Sequence, residues 1–222
     1  WVTLLEMDDA SGDGHGDGTI TLPMASDFAG GMDLFDIRGV KIEQSDWNAR
    51  FTFEMGEISN YWSLSNGFSH QIIQIYVDKG DSETGRTDML PGANAEIHPD
   101  WAWEVVISGT GEPGAVYSVQ SDTGATSARG VEVEGDKDTN TIVYTVSKDV
   151  IGTDVASYRY VIVSGSQDGF GTGKWRDVDE TAKTWTLGGG SDASTDDGIE
   201  YDPNVLDIVR TDDQQETILA DY

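Results

Sequence analysis

Short apolar segments with a two-residue period, each followed by a turn, constrain the fold of this chain more than any other sequence feature. Residues 48–55 (NARFTFEM) place Phe51, Phe53 and Met55 on one face, as expected of a strand with one buried side. Residues 71–78 (QIIQIYVD) are β-branched or aromatic at most positions, which predicts a central strand. Further segments of this type occupy residues 1–7, 33–43, 103–108, 115–120, 131–134, 141–147, 158–164 and 184–187. Roughly ten or more short strands with almost no helical period predict an all-β, antiparallel β-sandwich of the jelly-roll or immunoglobulin-like kind.

The remaining local signals favour one domain over residues 1–222. Ser45 and Asp46 form a polar turn that predicts a hairpin between the second and third strands. Residues 147–151 predict a single helical turn capped by Ser147, and residues 214–219 predict another. Residues 188–197 (GGGSDASTDD) resemble a linker, but the apolar stretch 205–209 predicts that the chain returns to the same body.

The charge balance excludes several classes of partner. The chain carries 41 Asp and Glu against 13 Lys and Arg, a net charge of −28, so nucleic acid and membrane insertion are not expected. The acids are spread between apolar segments along the whole length, which indicates a folded protein from a high-salt environment, where self-repulsion is screened. The chain has no cysteine, which excludes a disulfide framework and thiol catalysis. We expect an exported protein of a halophile, found outside the cell or on its surface.

A glycine-rich acidic stretch, residues 9–23 (DASGDGHGDGTITLP), is predicted to form a loop between a strand at residues 1–7 and a second strand at residues 19–22. Its carboxylates Asp9, Asp13 and Asp17 are crowded, and calcium prefers oxygen ligands of this type. The loop is not an EF-hand, because Met24 stands where that motif has its final Glu. The sequence therefore predicts a Ca²⁺ site, with a solvated acidic turn as the alternative.

Several motifs in order along the chain resemble one known family. The opening loop has the pattern Asp9-x-x-Gly12-Asp13-x-x-Gly16-x-Gly18-x-x-x-x-Pro23, with Gly14 and Asp17 at positions where the family usually has Asp and Pro. The later motifs are Phe35-Asp36-Ile37-x-Gly39, residues 60–71 (NYWSLSNGFSHQ), Leu90-Pro91-Gly92-x-Asn94, Trp101-x-Trp103-Glu104, residues 165–171 (GSQDGFG), Trp175-Arg176-x-Val178, Trp185-x-x-Gly188-Gly189 and Asp202-Pro203-Asn204-Val205-x-Asp207. Together they resemble the glucodextranase C-terminal binding module, a DOMON-like β-sandwich similar to family-9 carbohydrate-binding modules.

The resemblance implies a non-catalytic accessory module of a secreted or cell-surface enzyme that degrades α-glucans. The implied partner is a polysaccharide or a glycan of the cell envelope. No nucleophile-elbow motif is present, and His15, His70 and His98 are dispersed, so the residues give no independent sign of an enzyme or a zinc centre.

Two tryptophans in polar loops are candidate platforms for a sugar ring. Trp62 and Trp175 lack the apolar neighbours expected of core positions, although either indole could instead anchor its own loop. The ligand-binding set predicted with them is Tyr61, Asn66, Gln167 and Arg176. Trp103 and Trp185 are predicted to be core residues, and Trp101 remains open. Asp36 and Asp168 are predicted as further metal ligands beside Asp9, Asp13 and Asp17.

Two other functions stay open at this point. The first is a surface-layer or filament subunit that self-associates through its sandwich. The second is haem binding, known for other DOMON-like domains, for which His70 or Met55 would serve as axial ligand. Asp136, Asp138 and Asn140 lie in a predicted hairpin turn, where a second ion is the alternative to a plain turn.

Overall fold

The computed structural model describes residues 1–16, 18–80, 84–118, 121–125, 130–191 and 202–210. Its strands are β1 (Val2–Asp8), β2 (Ile37–Gln44), β3 (Asn48–Met55), β4 (Gln71–Asp78), β5 (Val105–Gly109), β6 (Ala115–Ser118), β7 (Ser121–Ala125), β8 (Val131–Asp136), β9 (Thr141–Ser147), β10 (Arg159–Ser166), β11 (Val178–Asp179), β12 (Leu187–Gly188) and β13 (Val205–Arg210). A single turn of helix, α1 (Lys148–Ile151), follows β9. The described part of the chain has no helix that is long and apolar enough to span a membrane.

Two antiparallel sheets form a sandwich. One has the order β1-β2-β3-β9-β8 and the other the order β13-β10-β4-β5-β6-β7, while β11 and β12 form a small parallel pair. The main core lies between the sheets. It includes Phe51 and Phe53 from β3, Tyr144 from β9 and Ile75 from β4. The predicted antiparallel β-sandwich is confirmed.

The six-stranded sheet is covered on both faces, which explains why all eight residues of β4 are buried. Ile73 and Ile75 face the main core, whereas Ile72 and Tyr76 belong to a second core on the outer face. Loop residues pack over that outer face. They include Leu90, Ala93, Ile97, Trp101, Trp103 and Trp175. A third core, with Phe28, Leu34, Phe35, Val178, Leu187 and Leu206, lies beneath the loop that leads into β2.

Most local predictions agree with the structure. The bounds predicted for β3, β4 and β9 are those observed, the β2–β3 hairpin is present, and β13 pairs with β10 as expected for a returning chain. Ser147 caps α1 by accepting a hydrogen bond from the Asp149 backbone N–H at 3.2 Å. Asp136 accepts from the Asp138 backbone N–H in the β8–β9 turn.

Five predictions require correction or lie beyond the described part. The 33–43 strand begins only at Ile37, because Gly31–Leu34 forms a 3-10 turn. Residues 19–22 do not form a strand, and Thr21 makes one isolated bridge to Gly188. Trp103 is fully buried as predicted, but Trp185 is 47% exposed, so its core assignment is wrong. The predicted turn at 214–219 and most of the 188–197 linker lie outside the described residues.

Candidate functional site

Carboxylates from the two ends of the described chain meet beside the start of β2. Oxygen atoms of Asp9, Asp13 and Asp207 lie within 4.8 Å of one another. Asp207 comes from β13, whereas Asp9 and Asp13 belong to the loop after β1. Asp36 adjoins this group, since its charge and a hydrogen bond both act on Asp13. We call Asp9, Asp13, Asp36 and Asp207 the acidic cluster.

Backbone contacts hold the loop in place around the acidic cluster. The Asp9 N–H donates to the Arg38 carbonyl at 3.0 Å, and the Gly16 N–H donates to the Leu206 carbonyl at 2.8 Å. The Gly12 N–H donates to Asp36 Oδ1 at 2.8 Å. A Cβ at Gly14 would lie 2.8 Å from both the Cα and the N of Asp36. The close approach of the loop to β2 therefore requires glycine at position 14.

The electrostatics of the acidic cluster oppose full ionisation. Burial raises the pKa of Asp207 well above its usual value, and the charges of the other three carboxylates of the cluster raise it further. The hydrogen bond that Asp207 accepts from the Ile37 N–H lowers this pKa and so opposes both effects. Burial also raises the pKa of Asp13, with Asp36 adding to the effect. Like charges held this closely favour either a proton or a cation among them.

The donor set of the acidic cluster suits a hard cation. All four side chains offer carboxylate oxygens, the ligands that Ca²⁺ prefers. Asp13 Oδ1 is buried and has no hydrogen-bond partner among the described residues, so its charge is available to a cation. The residues present therefore fit calcium, with Asp9, Asp13, Asp36 and Asp207 to hold it.

The predicted metal ligands are only partly brought together. Asp9, Asp13 and Asp36 meet in the acidic cluster, and Asp17 lies outside the described residues. Asp168 is not in the group formed by Asp9, Asp13 and Asp207; it forms an ion pair with Arg176 at 3.4 Å and accepts from the Phe170 N–H, so its role as a metal ligand stays a prediction. Asp207 was missed because it lies within an apolar strand. The one available signal was its place in the motif that ends at position 207.

Aromatic side chains gather around His70 at another surface. The His70 ring lies 4.9 Å from Phe28, 5.8 Å from Tyr61 and 4.8 Å from Trp62, measured between ring centroids. Trp185 extends the group, with its ring 6.4 Å from Phe28. We call these five residues the aromatic cluster. Tyr61 is 56% exposed and Trp185 is 47% exposed, so two rings of the cluster face solvent.

His70 is the buried polar member of the aromatic cluster. Its Nδ1 is 2.8 Å from Ser59 Oγ, and its Nε2 is buried with no hydrogen-bond partner among the described residues. Burial lowers the pKa of His70 to about 4, with Asp27 opposing the shift and Arg176 adding to it. His70 is therefore neutral at ordinary pH, and its Nε2 is a buried polar atom inside the aromatic cluster.

Trp62 is half-buried and is held by the loop between β1 and β2. Its indole Nε1 donates to Asp27 Oδ2 at 3.1 Å. Its backbone N–H donates to Ser69 Oγ at 3.0 Å. The indole thus contributes to the aromatic cluster in a fixed orientation, with Asp27 at its edge.

The other residues predicted to bind a ligand have structural roles. Trp175 is fully buried in the second core and occupies the space above Gly165, where a Cβ would lie 2.2 Å from the ring, so the exposed platform predicted there is wrong. Asn66 donates to the carbonyls of Thr110 and Glu112 and fixes its own loop. Gln167 and Arg176 are each only 3% exposed, so neither presents a side chain to solvent.

The haem alternative finds no support in this arrangement. Met55 and His70 are 3% and 0% exposed, so neither presents a ligand atom to a haem at the surface.

Comparison with protein families decides the relationship that the motifs suggested. The family model described as the "C-terminal binding-module, SLH-like, of glucodextranase" matches residues 4–222. The chain belongs to this family. The glucodextranase C-terminal binding modules are binding domains rather than catalytic ones, in agreement with the expected non-enzymatic role. No curated protein matches the chain significantly.

Proposed function

We propose that this module binds carbohydrate, as a calcium-stabilised, non-catalytic accessory domain of an exported, salt-adapted protein that acts on α-glucans or at the cell envelope. The aromatic cluster carries the proposal. Sugar rings present apolar C–H faces that stack on aromatic side chains, and Tyr61 and Trp185 expose such faces at one surface. The binding role of the family supports the same conclusion.

A polar group beside the two exposed rings supplies the directional contacts that sugar hydroxyls need. Asp27 is half-buried and offers carboxylate oxygens at the edge of Trp62. Recognition sites commonly combine an apolar surface with a few polar groups of this type. No general acid or base is required for this role.

Affinity electrophoresis and calorimetry with neutral α-glucans, such as dextran and pullulan, test the proposal. At about 1 M salt, where repulsion between distant charges is screened, we expect binding that weakens about tenfold in Tyr61→Ala and in Trp185→Ala. Trp47→Ala is the matched control, because Trp47 is 80% exposed at the β2–β3 turn. Equal binding by all three variants and the wild type would refute the assignment of the aromatic cluster.

The proposed calcium site is the acidic cluster. The cation would be held by Asp9, Asp13, Asp36 and Asp207 and would neutralise their mutual repulsion. A ligand that binds only the folded state stabilises it by about 2.7 kcal/mol at a hundred times its Kd. Calorimetric unfolding with calcium and with a chelator measures this effect. A thermal unfolding midpoint that is the same with calcium and with chelator would contradict the calcium site.

Self-association is a second candidate, favoured by the first strand. β1 lies at one end of its sheet order, and Trp1 and Val2 are 52% and 63% exposed. An exposed strand edge can accept a strand from a second copy. Sedimentation at about 1 M salt, where the net charge is screened, tests this alternative. A single monomeric species across the accessible concentration range would exclude it.

A further inference from the structure

We propose that the aromatic cluster selects uncharged glycans and rejects acidic ones, with the carboxylate of Asp27 as the specificity-determining group. This inference rests on the proposed function and names the chemical class of its ligand. It follows from the charges that surround the two exposed rings.

The cation that contacts the aromatic cluster is already fully engaged. The Arg176 guanidinium lies over the Phe28 ring at 5.1 Å. Its Nε donates to Ser166 Oγ and its Nη2 to the Gln167 carbonyl. Its Nη1 donates to the Trp185 carbonyl and forms the ion pair with Asp168. At 3% exposure it supports the wall of the site and offers no charge to a ligand.

The carboxylate of Asp27, by contrast, is partly accessible. Asp27 is half-buried and uses Oδ2 to hold the Trp62 indole at 3.1 Å. It is close enough to His70 for its charge to act on that ring. Hydrogen bonds from a neutral hydroxyl to a carboxylate are charge-assisted and strong. A ligand carboxylate or sulfate at the same place would meet a like charge instead.

His70 does not compensate this negative charge. Burial keeps the imidazole neutral at ordinary pH, and Nε2 is a buried polar atom that has no partner among the described residues. His70 is 0% exposed, so it adds neither a positive charge nor an accessible donor to the surface, and half-buried Asp27 remains the polar group at the Trp62 edge that a ligand can reach.

Three dextrans of similar length test this selection: unmodified dextran, lightly carboxymethylated dextran and hydroxypropyl dextran as a neutral control for bulk. The titrations are made at about 1 M salt, where the Debye length is about 3 Å and only charges in contact matter. We expect the wild type to bind both neutral polymers at least about tenfold more tightly than the acidic one, because like charges in contact are unfavourable.

Asp27→Asn tests the named residue, since its amide oxygen can still accept from the Trp62 indole. We expect this variant to reduce the preference for neutral polymers to less than about threefold. Asp149→Asn is the matched control, because it removes one charge from an exposed position in α1 and should keep the full preference. A thermal melt shows that each variant is folded.

The outcomes separate this inference from the proposed function. Equal binding of neutral and acidic dextran by the wild type, a result that needs no variant, overturns the inference and leaves carbohydrate binding intact. A preference that persists unchanged in folded Asp27→Asn removes Asp27 as the specificity determinant. Failure to bind any of the three polymers overturns both proposals.

Discussion

Substitution of Gly14 by alanine gives a sharp test of the acidic cluster. The added Cβ would lie 2.8 Å from the Cα and N of Asp36 and 3.0 Å from the Phe35 carbonyl carbon. Ordinary contacts begin near 3.4 Å, so the loop must move away from β2 by about 0.6 Å. Because the obstructing atoms are backbone, no side chain can rotate to make room, and overpacking of this kind typically costs about 1–3 kcal/mol.

The same displacement acts on calcium binding. Asp36 accepts the Gly12 N–H at 2.8 Å, and moving the loop lengthens this bond and carries Asp13 with it. A hydrogen bond to a charged group contributes about 1.5–3 kcal/mol, so if displacing the ligands costs about half of this amount in calcium binding, the Kd for calcium rises roughly three- to tenfold. Calorimetric titration of chelator-treated protein measures the Kd directly, and scanning calorimetry measures the stability.

Gly169→Ala is the matched control for this substitution. A Cβ at Gly169 meets nothing within 4 Å, and the residue does not have a left-handed backbone. We expect its calcium affinity and midpoint to equal those of the wild type. If Gly14→Ala also binds calcium with unchanged affinity, the loop does not position the ligands as the contacts indicate.

Three further predictions concern buried side chains. Asp207→Asn should abolish most of the stabilisation by calcium. Without calcium, the free energy of unfolding of the wild type should fall as pH rises above 3.8, because Asp207 keeps its proton in the folded state. Urea titrations of the variant should lack this fall. The free energy of unfolding of the wild type, relative to that of His70→Gln, should fall by roughly 3 kcal/mol as pH drops from 6.5 to about 4, because folded His70 resists protonation. A difference that does not depend on pH would disprove this prediction. Trp175→Ala should lower the free energy of unfolding by about 3–5 kcal/mol, while the glycan affinity of the folded protein stays the same. Lost affinity with unchanged stability would instead show that Trp175 contacts the glycan.

The strands of the sandwich were predictable because their local pattern matches their final environment. β3 alternates in sequence and in burial, and β4 is apolar on both faces because both faces are covered. The position of a strand within its sheet could not be predicted in the same way. Nothing local indicates that β9 pairs with β3 or that β13 pairs with β10, since these pairings join distant parts of the chain.

The tryptophans show why the candidate sites were harder to predict than the fold. Trp175 lies in a polar loop and Trp185 in a strand-like segment, yet the first is buried and the second exposed. Trp175 is buried because loop residues cover the outer face of the six-stranded sheet and Gly165 leaves room for the ring. Trp185 precedes β12, which is only two residues long, and packs against Phe28 on one side alone. Whether loops from distant parts of the chain cover a side chain decides its burial, and the local sequence pattern does not indicate this coverage.

The place of Asp207 on β13 has a consequence for how the molecule opens. The four carboxylates come together only when β13 docks onto β10, so their repulsion acts on that docking step rather than on the rest of the sandwich. Without a cation, Asp207 must take up a proton or stay charged beside the other carboxylates when β13 docks, so above its raised pKa β13 should detach locally before the sheets separate. Hydrogen exchange in chelator should report this as faster exchange of the β13 amides, and a cation that bridges the strand to the loop should slow global unfolding more than it speeds folding.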